Sequence, residues 1–235
     1  MTFAWARRSG QSCAPCDEAR QTCFVSPPFG DHASLWSYYD RRAPSYEGGV
    51  SGACRYFRGL GVEVSAEAVR EELHEITRQL ALLPPATFVD VGAGSGVFTG
   101  RLQGSGIAVD QSERALRRLR AEVARVPVVR GDAAALPLAA KAVTRVFAGH
   151  LYGHLVRQER TAFIAEARRV GDELVILDSG RPPGVRAEEW QRRSLPDGTT
   201  FTVYKRHFNI DTLLAEVGGH LLFGGSYYVL VRSIQ

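Results

Sequence analysis

The residues that follow Ser65 show apolar side chains at helical spacing. Steps of three or four residues separate the members of this set, which are Val69, Leu73, Ile76, Leu80 and Leu83. Such spacing places the apolar side chains on one face of a helix. Ser65 can cap this helix, because its hydroxyl accepts a hydrogen bond from a free backbone N–H, and Pro84 ends the pattern. We predict an amphipathic helix over residues 66–83.

From residue 87 onward, short apolar runs alternate with amphipathic stretches. The apolar runs are TFVDV, GIAVD, VPVVRGD, AVTRVFAG and ELVILD, which begin at residues 87, 106, 126, 142 and 173. The amphipathic stretches predict helices from the first run through residue 102, over residues 112–124 and over residues 157–170. Because the runs are continuously apolar, they are typical of parallel strands with helices on both faces. We predict a Rossmann-like, doubly wound α/β fold with a mostly parallel sheet.

The pattern changes towards the C-terminus. Residues 209–219 predict a helix, and HLLFGGSYYVLVRS at residues 220–233 predicts two strands around Gly224 and Gly225. Two adjacent glycines between apolar runs indicate a hairpin, which we expect to close the sheet in an antiparallel manner. Residues 1–30 have the composition of an irregular arm. We therefore divide the chain into this arm, a helical segment at residues 31–84 and a core at residues 85–235.

The composition is typical of a soluble globular protein, with 235 residues, 45% of them hydrophobic and 23% charged. The net charge is +4, but the arginines are spread along helices, as at Arg114 and Arg117, and form no long run. We interpret them as solvated helix faces and expect no nucleic-acid partner. No apolar stretch approaches the roughly 18 residues that span a bilayer, and the N-terminus lacks the apolar core of a secretory signal. We expect a cytoplasmic protein without a membrane partner.

Three of the four cysteines lie near the N-terminus, at Cys13, Cys16 and Cys23. A reducing cytoplasm disfavours disulfides between them. Together with His32 they have the chemistry of zinc ligands, but no second C-x2-C or H-x3-H pair specifies the fourth ligand. We predict no metal site, and a zinc-binding segment stays open as the alternative to a flexible leader.

The run FVDVGAGSGVFTG at residues 88–100 places glycines after a strand, where the backbone can approach a ligand closely. A phosphate-binding P-loop is excluded, because it requires a lysine after its last glycine. A dinucleotide fingerprint requires a third small residue at the position that Val97 occupies. A carboxylate, Asp90, precedes the glycines, and its charge would repel a pyrophosphate but favour a cationic ligand.

The stretch DVGAGSG, with an acidic residue before G-x-G-x-G, resembles the first motif of the class I S-adenosylmethionine-dependent methyltransferases. The resemblance extends over about residues 33–232 and includes GDAAALPL at residues 131–138, which is similar to the family's third motif. It implies S-adenosylmethionine as cofactor, S-adenosylhomocysteine as product and an N-terminal helical lid. WSYYDRRAPSYE resembles that lid, with Tyr38, Tyr39 and Tyr46 as candidates to contact cofactor or acceptor, although we expect at least two of them to pack in the core. The C-terminal helix and hairpin resemble the quinone-biosynthesis and small-molecule branch.

The resemblance also implies roles for individual residues. Asp90 would lie near the methionine part of the cofactor, with the glycines as a floor beneath it. Asp110 would accept bonds from both ribose hydroxyls, unless it serves only as a charge at a helix N-terminus. Asp132 would meet the adenine amino group and Ala133 would offer its backbone N–H, unless this is a solvated turn. The predicted cofactor-binding residues are Asp90, Gly92, Ala93, Gly94, Gly96, Asp110, Gln111, Asp132, Ala133, Gly149, Tyr38 and Tyr46.

The methyl acceptor is expected outside the carboxyl ends of the first and fourth strands, where open α/β sheets bind ligands. AGHLYGHL follows the fourth strand and contains His150, Tyr152 and His154. Either histidine could take or steer an acceptor proton near neutral pH. We predict these three residues as catalytic, with structural packing as the alternative. Zinc binding by the two histidines is disfavoured, because the glutamate of H-E-x-x-H is missing.

Two absences narrow the chemistry of the acceptor. AGHLYG is not the [ND]-P-P-[YF] stretch of exocyclic-amine methyltransferases, and no cysteine follows Cys54 to act as the nucleophile of RNA cytosine-carbon enzymes. We expect methylation of an oxygen or carbon of a small molecule. Side chains after the fifth strand are expected to shape its pocket, namely Glu188, Trp190, Tyr204, Lys205 and Arg206. The alternatives are an RNA methyltransferase with an N-terminal zinc segment and a non-catalytic S-adenosylmethionine-binding protein. An NAD-dependent dehydrogenase is the least favoured interpretation.

Overall fold

The structure, a computed structural model, describes residues 32–45 and 48–234. Its helices are α1 (His32–Arg42), α2 (Gly49–Gly59), α3 (Ala66–Leu82), α4 (Glu113–Glu122), α5 (Arg157–Val170) and α6 (Ile210–Val217). Its strands are β1 (Ala86–Val91), β2 (Gly104–Asp110), β3 (Val128–Arg130), β4 (Arg145–Gly149), β5 (Glu173–Ser179), β6 (Glu188–Ser194), β7 (Thr200–Arg206), β8 (His220–Gly224) and β9 (Tyr228–Ile234). The predictions for Cys13, Cys16, Cys23 and Tyr46, and for the side chain of His32, lie outside the described residues.

Seven strands form one sheet in the order β3-β2-β1-β4-β5-β9-β8. The first five strands of this order run parallel. β9 pairs with β5 in antiparallel register, with Leu230 opposite Leu177, and β8 pairs antiparallel with β9. This arrangement confirms the predicted Rossmann-like fold, closed by a C-terminal antiparallel hairpin.

Helices cover both faces of the sheet. On one face, Phe88 of β1 and Phe147 of β4 belong to the same buried cluster as Ile76 of α3. On the other face, Val89 of β1 is buried in a cluster with Phe163 of α5. Neighbouring residues of a strand point to opposite faces of the sheet, and here helices bury both faces. This is the reason why the strands read as continuous apolar runs.

Side-chain caps fix where the predicted helices begin. The Oγ atom of Ser65 accepts a hydrogen bond from the N–H of Ala68 at 3.2 Å, and α3 starts directly after Ser65, at Ala66. The Oγ atom of Ser112 accepts one from the N–H of Ala115 at 3.1 Å, at the start of α4. Both bonds satisfy backbone donors that have no partner within the helix. The amphipathic helix expected after Ser65 is confirmed.

α1 is fixed between α4 and the turn that joins β6 to β7. Oδ1 of Asp40 accepts hydrogen bonds from Oγ of Ser112 and from the N–H of Arg114, each at 3.0 Å. The next residue, Arg41, donates from Nη2 to Oδ2 of Asp197 at 2.5 Å. These contacts on successive residues hold α1 over the carboxyl end of the parallel strands.

One local prediction is wrong, and one element of the structure was not predicted. The stretch between β1 and β2 is not a helix through residue 102 but a glycine-rich turn with one 3₁₀ turn at Thr99–Arg101. β6 and β7 form a second, antiparallel two-stranded sheet, which the sequence interpretation did not contain. Their connection includes Pro196, Asp197 and Gly198, whose residue types are a turn signal. This hairpin matters for function because its side chains reach the candidate site.

Within the described residues, no helix is long and apolar enough to cross a membrane. The division of the chain into an arm, a helical segment and a core stays a prediction.

Candidate active site

The turn that follows β1 is built from glycines in a backbone conformation that other residues avoid. The φ angles are +69° at Gly92, +55° at Gly94 and +87° at Gly96. A Cβ atom on Gly92 would lie 3.0 Å from Cβ of Leu151, and one on Gly96 would lie 2.9 Å from Cγ of Leu119. A Cβ atom on Gly94 would meet nothing within 4 Å. Gly92 and Gly96 therefore allow close packing, whereas Gly94 borders open space.

Asp110, the last residue of β2, holds this turn in place. Its Oδ2 accepts a hydrogen bond from the N–H of Gly94 at 2.8 Å, and its Oδ1 accepts one from the N–H of Ser112 at 2.7 Å. Burial raises the pKa of Asp110, and these backbone bonds oppose that shift. Each carboxylate oxygen keeps a second lone pair, which can accept a hydrogen bond from a hydroxyl group. Asp110 thus joins the glycine turn to the start of α4 and faces the cavity described below.

Asp90 lies inside the protein, at 2% exposure. Oγ1 of Thr99 donates a hydrogen bond to its Oδ2 at 2.5 Å, and burial raises its pKa to about 7. Asp90 does not line the cavity, and neither does Gly96. The structure therefore places these two predicted cofactor residues behind the cavity wall, where they support the turn.

A cavity of about 410 Å³ opens at the carboxyl ends of the parallel strands. This size lies in the range of sites that enclose small ligands. Most of the residues predicted to bind cofactor or acceptor line it, namely Gly92, Ala93, Gly94, Asp110, Gln111, Asp132, Ala133, Gly149, His150 and His154. α1 and α2 form the opposite wall through Trp36, Tyr39, Ala53 and Tyr56. The cavity thus stands where the topology of an open α/β sheet places its ligands.

The two predicted catalytic histidines lie in the cavity wall. His150 directly follows β4 with a φ of +58°, and its N–H donates to the carbonyl of Leu177 at 2.8 Å. Its ring packs between Phe98 and Tyr228, at centroid distances of 5.9 and 5.5 Å. A non-glycine residue at positive φ is uncommon and concentrates at functional sites. Burial lowers the pKa of His150 to about 4, so this imidazole is neutral at physiological pH.

The hydrogen bonds of His154 define its tautomer. Its Nδ1 lies 3.0 Å from the carbonyl oxygen of Tyr204, and a carbonyl only accepts, so Nδ1 carries the proton. Nε2 is then left with its lone pair. Burial, with the nearby charges of Lys205 and Arg193, lowers the pKa of His154 well below its usual value. The ring of Tyr39 stands edge-on to His154, at a centroid distance of 5.8 Å.

Two predicted site residues are corrected by their positions. Tyr152 points away from the cavity: it is fully buried, stacks on Phe208 and donates from its hydroxyl to Oε2 of Glu216 at 3.0 Å. Tyr38 is also fully buried and packs with Phe201, outside the cavity wall. Both side chains belong to the packing of the surrounding elements. Tyr39, the neighbour of Tyr38, reaches the cavity instead.

Several cavity residues were missed or left unranked by the sequence interpretation. Arg193 of β6 and Lys205 of β7 reach the cavity from the unpredicted hairpin, and Tyr56 reaches it from α2. The hydroxyl of Tyr56 lies 2.6 Å from Nε2 of His207. Nζ of Lys205 donates to Oδ1 of Asp178 at 2.7 Å. The turn signal at residues 196–198 could have revealed the hairpin, but no local signal shows that these side chains reach a site formed by distant parts of the chain.

The described part of the chain holds no group of three or more histidine, cysteine, aspartate or glutamate side chains that could bind a metal ion.

The neutral histidines predict an acid-sensitive fold. His150 has a pKa of about 4 in the folded protein, against 6.5 for an unperturbed histidine. Between these values the unfolded chain binds more protons, so the contribution of His150 to stability falls as the pH falls. We expect the stability deficit of His150→Asn to shrink from pH 6.5 towards pH 4, since asparagine tolerates positive φ and does not titrate. Urea unfolding at several pH values measures this. His74→Asn, which replaces an exposed histidine of α3, is the control variant, and parallel curves for His150→Asn and the wild type would refute the assignment.

Comparison with known proteins agrees with the geometry of the site. Residues 89–173 match the family described as methyltransferase domain. No curated protein matches the sequence. The solved DhpI–SAM–HEP complex has a TM-score of 0.63 at 18% identity, over 88% of this chain and 100% of that chain. The PH0226 protein from Pyrococcus horikoshii OT3 has a TM-score of 0.53 at 17% identity, over 70% of this chain and 88% of that one. The glycopeptide N-methyltransferase MtfA complexed with sinefungin has a TM-score of 0.51 at 19% identity, over 70% and 92%. At such identities these structures share the fold.

The segment that matches the methyltransferase domain runs from β1 to the first residue of β5 and contains the glycine turn, Asp110, Asp132 and His150. The chain is therefore an enzyme of the methyltransferase class. Its cofactor is S-adenosylmethionine, as the sequence predicted from DVGAGSG.

Proposed function

We propose that this enzyme transfers the methyl group of S-adenosylmethionine to an oxygen or carbon atom of a small-molecule acceptor. The observation that carries the proposal is that the glycine turn and the two histidines line one cavity, of about 410 Å³, under α1 and α2. An acceptor held at the two histidines would lie beside a cofactor held at the glycine turn, because both sets of residues line the same cavity. The finer assignment to the quinone-biosynthesis-like branch stays a prediction.

The residues of the cavity fit the cofactor. We propose that Asp110 and Gln111 hold its ribose, Asp132 and Ala133 its adenine, and Gly94 its methionine part. Gly92, Ala93 and Gly149 complete this wall. The open space at Gly94 is one that a Cβ would fill, as expected where a ligand approaches the backbone. The carboxylates favour a ligand that carries both a sulfonium and an ammonium group.

When bound, S-adenosylmethionine supplies a methyl group already activated for displacement by its sulfonium. The protein then has to orient the acceptor and exclude water. Trp36 and Tyr39 of α1 cover the cavity, and the contacts of Asp40 and Arg41 keep α1 in place. We propose that Nε2 of His154 accepts a proton from the acceptor, because its Nδ1 is already protonated. His150 is proposed to contact the acceptor as a neutral imidazole.

Methyl transfer to a small molecule can be tested with methyl-labelled S-adenosylmethionine. The purified protein is incubated with small metabolites and, separately, with total RNA from the same cells. We expect label in the small-molecule fraction. His154→Ala should slow transfer by about 10²-fold or more, as for loss of a proton acceptor, while binding of S-adenosylmethionine is retained. His74→Ala, which alters an exposed histidine of α3, is the matched control.

The alternatives predict different results in the same experiment. Label in RNA would identify an RNA methyltransferase. Cofactor binding without transfer to either fraction would indicate a binding protein, and it would contradict the proposal. Equal rates for His154→Ala and the wild type would remove His154 from the chemistry while leaving the acceptor class intact.

A further inference from the structure

The charged side chains of the cavity are divided between its two ends. Asp110 ends β2 and Asp132 follows β3, so both carboxylates lie towards the β3 edge of the sheet. Arg193 and Lys205 come from the β6–β7 hairpin, and Lys205 contacts Asp178 on β5, on the other side of β1 and β4. The acidic end suits the cationic cofactor. The basic end therefore remains for the acceptor.

Lys205 is compensated by its own counter-ion. Its side chain is 2% exposed and Asp178 is fully buried, so the pair is removed from water. Oδ2 of Asp178 accepts a further bond from the N–H of Gly153, and its Oδ1 accepts one from the N–H of Ser179. Although burial opposes ionisation, Lys205 holds the pKa of Asp178 at about 2. This pair contributes no net charge to the basic end.

Arg193 has no such counter-ion among the residues that the structure describes. Its Nη2 and Nε donate to Oε1 of Gln191, at 2.6 and 3.2 Å, and this amide oxygen carries no charge. Its Cζ lies 5.8 Å from the centre of the Tyr56 ring. Within residues 32–45 and 48–234, no carboxylate approaches the guanidinium to 4.0 Å. Arg193 therefore presents a net positive charge beside Tyr39 and His154. Burial raises the pKa of Tyr39 and the charge of Arg193 opposes this shift, whereas burial and the charge of Arg193 both lower the pKa of His154.

A basic groove continues from this end of the cavity to the surface. It shares Arg42, Gly52, Tyr56 and Arg193 with the cavity. The other charged side chains that line it are Arg55, Arg186, Arg192 and Glu189. Arg186, Arg192 and Arg193 against Glu189 give this groove an excess of positive charge, which attracts small anions towards the cavity. The path from the surface through the groove to Arg193 is thus positively charged along its length.

We propose that the methyl acceptor is an anion, carrying a carboxylate or a phosphoryl group, and that Arg193 binds this group. The guanidinium presents paired N–H donors that match both groups in a bidentate manner. Binding there would place the remainder of the acceptor beside Tyr39 and His154, towards the cofactor end of the cavity. Arg193 is thus a specificity-determining and positioning residue. This inference rests on the proposed small-molecule methyl transfer.

The proposal is tested first by binding rather than by turnover. Inorganic phosphate and acetate serve as separate probes of the two anion types, in calorimetric titrations of the protein saturated with S-adenosylmethionine. We expect saturable binding of at least one probe to the wild type. Arg193→Gln should weaken it by about tenfold or more, the loss typical for a charge-assisted hydrogen bond. Arg193→Lys keeps the charge but not the paired donors. Its affinity for the probe should lie between those of the wild type and Arg193→Gln. Arg168→Gln removes the same charge from an exposed position on α5 and should bind like the wild type.

Binding of S-adenosylmethionine to each variant separates this proposal from the proposed function. Retained cofactor binding in Arg193→Gln shows that the variant is folded and that only the anion site is altered. If the cofactor does not bind the wild type, the proposed function itself fails. If the cofactor binds but neither probe does, or if Arg193→Gln binds the probe as tightly as the wild type, the anionic acceptor is refuted. The probe that binds more tightly identifies the type of anion.

Discussion

Replacing Gly94 with valine should lower the affinity for S-adenosylmethionine by about a hundredfold or more, which corresponds to about 2.7 kcal/mol. Two effects act together. The φ angle of Gly94 is +55°, a region that β-branched residues avoid. A Cβ atom there would also project into open space at the cavity wall, where the cofactor must approach. Isothermal titration calorimetry with S-adenosylmethionine measures the loss.

A matched glycine separates the two effects. Gly61, in the turn after α2, has a φ angle of +79° and also no atom within 4 Å of a built Cβ, but it does not line the cavity. Gly61→Val should therefore show a similar loss of stability and keep its cofactor affinity. Equal affinity in Gly94→Val and the wild type would place the cofactor elsewhere. An equal loss of cofactor affinity in both glycine variants would mean that backbone strain, rather than obstruction of the cavity at Gly94, explains the result.

The central sheet could be predicted from sequence because its signals are local. Val89 and Val146 lie on the α5 face and Phe88 and Phe147 lie on the opposite face, so both faces of these strands carry apolar side chains. Such runs can only be buried between two layers of helices. The glycine turn could also be predicted from sequence, because the backbone geometry at each of its positions dictates the residue type.

The basic end of the cavity could not be predicted in the same way. No residue of β6 is buried, and its sequence EEWQRRS carries no apolar alternation that would indicate a strand. Arg193 reaches the cavity only because its hairpin packs beside α1 and the residues after β4. That proximity is a tertiary property. Sequence spacing likewise could not show which of the adjacent residues Tyr38 and Tyr39 faces the cavity.

The replacement of Glu173 by glutamine should have the largest effect on stability, a loss of about 3–5 kcal/mol in the free energy of unfolding. Glu173 begins β5 and is 4% exposed, and it forms ion pairs with Arg145 of β4 and Arg232 of β9. Arg145 is itself 2% exposed, and its Nη1 has no hydrogen-bond partner. Without the carboxylate, a buried guanidinium would keep its charge but lose its counter-ion, which is the costly way to break a buried pair.

Urea unfolding provides the measurement, and an exposed pair provides the comparison. Glu122→Gln removes a carboxylate that pairs with Arg118 on α4, where both side chains are more than 40% exposed. Because solvent screens such pairs, we expect a change below about 1 kcal/mol. A loss for Glu173→Gln no greater than that for Glu122→Gln would mean that Arg145 is hydrated in solution. The join between β4 and β5, on which the position of His150 depends, would then be held by strand pairing alone.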